Sequence, residues 1–89
     1  MIKITEARFV EGYLIRLFFS DGMCGDYDLS PLIERDTEMV RPLRDPAYFK
    51  RFFLELGALG WPNGFELSAG SIHRKLQESG RLHSREDAA

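Results

Sequence analysis

A chain of 89 residues has room for one hydrophobic core and excludes a second. Twelve Lys and Arg against 14 Asp and Glu leave a formal charge of −2, which excludes a bulk electrostatic pull toward nucleic acid or anionic membrane. The composition, 44% hydrophobic and 29% charged, is that of a globular domain, and the single cysteine, Cys24, excludes an internal disulfide and a four-cysteine zinc site.

Residues 1–6 lack the apolar run of a signal peptide, and no stretch approaches the ~20 apolar residues of a membrane span. A cytoplasmic location with no membrane partner is the expectation. A chain this small buries only roughly 60–65% of its unfolded surface, so large aromatics must do much of the core filling.

Residues 2–9 read as a first strand, with Val10, Glu11 and Gly12 as the turn. Residues 13–19 read as a second strand, with Tyr13, Ile15, Leu17 and Phe19 on one face. The next turn decides register. A two-residue Asp21-Gly22 loop pairs Leu17 with Asp26 and Ile15 with Asp28, which sets carboxylates on the apolar face. A three-residue Ser20-Asp21-Gly22 loop pairs Phe19 with Met23 and Ile15 with Tyr27. A one-residue slip inverts the faces, so the second loop is expected, with Gly22 in the left-handed region.

Ser30-Pro31 carries an N-cap and first-position signal for a short helix over 31–35. Residues 35–44 are polar, with Met39, Val40 and Leu43 as anchors. Asp45-Pro46 repeats the cap signal and predicts a helix over 46–52 that buries Phe49 and either Phe52 or Phe53. Residues 53–56 and 59–61 read as a second hairpin around Gly57-Ala58, pairing Leu56 with Leu59 and Leu54 with Trp61.

Ser68 caps a helix over 69–78. Leu67 and Ile72 have hydrophobic-staple spacing, Ile72 and Leu76 form an apolar stripe, and Gly80 is the stop. The predicted architecture is α+β: a mostly antiparallel sheet of about five strands, meander then hairpin, with two or three short helices mainly on one face. Residues 1–78 read as a single domain and 79–89 as a polar, frayed tail.

With these elements placed, the chain resembles a bacterial family catalogued as domain of unknown function 2442. The resemblance rests on Phe19-Ser20-Asp21-Gly22, Tyr27-Asp28-Leu29-Ser30, Leu43-Arg44-Asp45 before Tyr48-Phe49, and Trp61-Pro62-Asn63-Gly64 followed by Leu67. It covers residues 2–76. It implies a small α+β fold and no established biochemical activity. It also implies gene pairing with another small protein, in modules of the toxin–antitoxin type. Some relatives carry an added helix-turn-helix domain, for which this chain has no room. Glu66 stands where the family typically has aspartate, and His73 where it commonly has tyrosine.

Several residue groups are candidates for function. Trp61, Asn63 and Glu66 would line a partner or ligand groove, against a structural reading in which Trp61 plugs the core and Glu66 assists the Ser68 cap. Arg35, Arg41, Arg44, Lys50 and Arg51 form the best basic concentration and the candidate nucleic-acid surface. Arg74, Lys75, Arg81 and Arg85 form a second. Acids are interspersed in both, the pattern of a solvated face.

Asp26 and Asp28, two apart on the outward strand face, have the spacing to hold a hard cation, but lack a calcium loop's remaining ligands; a solvated face is expected. His73 reads as a helix-surface residue. Cys24 has no basic neighbour in sequence to activate it.

No catalytic, metal or cofactor constellation emerges. The expectation is a non-catalytic protein-interaction module; the family resemblance alone implies that it is the antitoxin-like partner of a small protein encoded nearby. A nucleic-acid-binding or regulatory domain is the alternative and an enzyme the third reading. Homodimerisation through an uncovered sheet edge is compatible with the pattern.

Overall fold

The computed structural model describes residues 1–88. Its fold is antiparallel α+β, with the strands divided between two sheets. Strands β1 (Ile4–Glu11), β2 (Leu14–Phe19) and β3 (Met23–Asp28) form a meander, and β7 (His83–Ser84) completes a four-stranded sheet in the order β1-β2-β3-β7. Strands β4 (Phe53–Glu55), β5 (Ala58–Gly60) and β6 (Glu66–Leu67) form a three-stranded sheet. The helices are α1 (Ser30–Glu34), α2 (Pro46–Phe49) and α3 (Ala69–Glu78), with 3-10 turns at Arg41–Arg44 and Arg85–Ala88.

The meander register follows the apolar alternation. Ile15 pairs with Tyr27, Leu17 with Gly25 and Phe18 with Cys24. Gly22 takes φ 84° and its N–H donates to Phe19 O, as the three-residue turn requires. Ile15, Leu17 and Phe19 are consequently buried on one face, and α3 covers them with Ile72 and Leu76.

The second hairpin corrects the expected register. Leu54 pairs with Leu59 and Phe53 with Gly60, and the turn is Leu56-Gly57 rather than Gly57-Ala58. Both turn residues have positive φ, 50° and 83°, as in a type I′ turn. Leu56 therefore leaves the strand, and Trp61 falls beyond its end. The Gly57 carbonyl accepts from Ile4 N–H, which ties this hairpin to the edge of the larger sheet.

Helix ends also differ in part. Ser30 does not cap α1; the Asp28 carboxylate accepts from Ser30 N–H instead, and Leu29 holds the cap position. Asp45 caps α2 by accepting from Ala47 N–H, but this helix stops at Phe49, not Phe52. Phe49 is fully buried, Phe52 packs half-buried and Phe53 is exposed. Val40 and Leu43 anchor the polar connection, while Met39 remains exposed.

Ser68 Oγ accepts from Ser71 N–H and starts α3. At its end Gly80, at φ 71°, donates to Gln77 O, and Arg81 N–H donates to Leu76 O. That is a Schellman closure. It turns the chain back toward β3, so residues expected to fray instead supply β7, where His83 pairs with Cys24. The expected fraying at Ala89 lies outside the described residues.

Gly25 permits this return. A Cβ there would sit 2.7 Å from Arg81 O, so only glycine lets the post-helix chain lie against β3.

Candidate functional site

The Trp61 loop has a structural role. Trp61 is 1% exposed, and its Nε1–H donates to Phe49 O at 2.9 Å. Its ring packs among Phe49, Phe52 and Phe65. Buried in this way, it cannot anchor a surface groove. Asn63 Nδ2 donates to Met39 O and its Oδ1 accepts from Phe65 N–H, so the side chain braces its own turn against the preceding connection. Glu66 is exposed on β6 opposite Gly60.

The first basic concentration does not form a shared open patch. Asp36, in the left-handed region at φ 50°, ends α1 and accepts from Arg41 Nε at 3.1 Å. Arg44 Nε lies 3.4 Å from the same carboxylate. Arg44 also donates to Ile33 O. Lys50 sits over the Phe9 ring and Arg51 over Tyr48. Arg35 lies apart from these contacts and faces a different hollow.

The carboxylates on the hairpin are held as hydrogen-bond acceptors. Asp26 accepts two bonds from the Arg16 guanidinium, at 2.7 and 3.0 Å. The Arg16 bond holds the Asp26 carboxyl below the ordinary range against a burial effect that opposes it. Asp28 is engaged by Ser30 N–H. Among the described residues no group of three or more His, Cys, Asp or Glu side chains could hold a metal ion.

His73 is not a simple surface residue. Its Nε2 is 2.8 Å from Asp21 Oδ2, and its ring meets Phe19 edge-on. His73 thus docks α3 on the β2–β3 turn. Cys24 is buried in β3.

A concave surface that carries charged side chains lies elsewhere, between β3, the start of α1 and the C-terminal end of α3. A hollow of about 370 Å³ is bounded by Asp26, Tyr27, Asp28, Pro31, Lys75 and Arg81. A second, of about 310 Å³, shares Tyr27, Asp28, Pro31 and Lys75 and extends to Leu32 and Arg35. A third, of about 320 Å³, shares Asp26 and Arg81 and reaches His83. The three hollows adjoin through these shared residues, and together they are the groove of this face.

Its charges are asymmetric. Both acids in it already hold protein donors. Among the described residues Arg35, Lys75 and Arg81 form no ion pair, unlike Arg8, Arg16, Arg41, Arg44 and Arg85.

In sequence, Lys75 and Arg81 belong to the second basic concentration and Arg35 to the first, and nothing there marks Tyr27 as a site residue. The available signals were Gly25 inside a strand and Gly80 after a helix. Together they mark a close strand–helix return.

A small antiparallel α+β domain with a groove at the strand–helix junction is therefore defined. The chain belongs to the family described as protein of unknown function (DUF2442), whose model matches residues 4–78. Comparison with curated proteins and with solved structures gave no match.

Proposed function

We propose that this chain is a non-catalytic protein-interaction module that receives a partner in the groove between β3, α1 and α3. The observation that carries the reading is the state of the groove's ionisable groups. Asp26 is kept ionised and neutralised by Arg16, and Asp28 is occupied by a backbone N–H. Proton transfer near neutral pH favours the opposite, a carboxyl pushed upward with a free proton path. Cations that form no ion pair among the described residues, set with a tyrosine and apolar side chains, are binding chemistry.

The partner we favour is a small protein encoded beside this one, with the present chain in an antitoxin-like role. Support for that pairing comes from the family resemblance. Co-expression of the two genes followed by size-exclusion chromatography tests it. Co-migration is the expected result, and independent migration of two folded proteins contradicts it.

A further inference from the structure

The geometry points to an acidic, amphipathic segment of the partner protein as the occupant of this groove. The inference rests on reading the groove as a protein-docking surface and adds the chemistry of what docks there. Arg35, Lys75 and Arg81 come from three separate parts of the chain and line two adjoining hollows, Arg81 in one, Arg35 in the other and Lys75 in both. None is neutralised within the described residues, although the protein as a whole carries a formal charge of −2. Over the adjoining hollows three cations stand against two carboxylates, one of them already paired with Arg16, so the local balance is cationic and calls for anionic groups from outside.

The walls are not uniformly polar. Pro31, Leu32 and Leu76 line the hollows together with Tyr27. An occupant that matches both features alternates carboxylates with apolar side chains. A hollow of about 370 Å³ accommodates a side chain or two, rather than a folded surface.

A nucleic-acid strand fits less well. Its charge recurs at every phosphate, and the slot presents Asp26 and Asp28 along one side. A peptide can place its carboxylates against the cations and an apolar residue opposite the acids.

The test uses the intact, isotopically labelled chain and three probes: a decapeptide of alternating Glu and Leu, its Gln-Leu counterpart, and deca-thymidylate. The Glu-Leu peptide is expected to shift the Tyr27, Lys75 and Arg81 amide resonances saturably. Affinity should fall about tenfold or more in Lys75→Glu/Arg81→Glu, both exposed positions, with spectral dispersion retained. Equal affinity for the Gln-Leu peptide at the same resonances overturns the acidic requirement and leaves the docking reading standing. Tighter binding of deca-thymidylate overturns both. If no probe moves the groove, the inference fails; the docking reading fails with it only if the neighbouring protein's complex also leaves those resonances unmoved.

Discussion

His73 Nε2 lies 2.8 Å from Asp21 Oδ2, joining the middle of α3 to the β2–β3 turn across 52 positions of sequence. The same carboxylate group accepts from Met23 N–H, so one side chain shapes the turn and receives the helix. Burial alone would raise the Asp21 carboxyl, but the Met23 and His73 bonds outweigh it and hold it below its ordinary 3.8.

Acid stability follows from that direction. A carboxylate whose folded pKa lies below its unfolded value stabilises the fold fully above the unfolded value. The contribution is lost as pH falls through the folded one. Asp21 and Asp26 both behave this way. The urea midpoint is expected to decline below about pH 4. The Asp21→Asn/Asp26→Asn variant should be less stable at neutral pH and show a shallower acid decline. Parallel curves for the two proteins would contradict this.

Trp61→Phe should destabilise by about 1–3 kcal/mol, because Phe49 O loses its donor inside the core. Equilibrium urea unfolding measures the loss. In the parent protein the single tryptophan should emit at a blue-shifted wavelength that reddens on unfolding.

Gly25→Ala places a methyl 2.7 Å from Arg81 O and 3.1 Å from Leu76 Cδ1. Backbone must move, at a cost of about 1–3 kcal/mol. Hydrogen exchange should show the β3–β7 amides losing protection before those of β1 and β2.

Leu56 is 94% exposed and holds φ 50° at the first position of its turn. A left-handed backbone costs a branched residue about 1–2 kcal/mol, and exposure returns nothing. Leu56→Gly or Leu56→Asn should therefore raise the thermal midpoint, with the far-ultraviolet spectrum unchanged. A lower midpoint would mean that the side chain has a contact in the folded state.

The meander was legible in sequence because Ile15, Leu17 and Phe19 force one register, and a one-residue slip would bury Asp26 and Asp28. The second hairpin was misregistered for a physical reason. Leu56 looks like a strand residue, yet the turn takes it in a conformation that leucine disfavours. Strands β6 and β7 are two residues each, too short to show alternation.

Of the sites, the core role of Trp61 was readable from its turn neighbours. The groove was not, because Tyr27, Arg35, Lys75 and Arg81 are far apart in sequence and only the fold brings them to adjoining hollows. The contact of His73 with Asp21 was not legible either, since nothing at either position announces the other.

The central claim is that the groove, not the Arg41–Arg51 stretch, receives the partner. The most direct measurement is complex formation between this chain and its co-expressed neighbour in two charge-reversal variants. The account predicts that Lys75→Glu/Arg81→Glu weakens the complex by about tenfold or more, while Lys50→Glu/Arg51→Glu leaves it unchanged. The reverse pattern would contradict it.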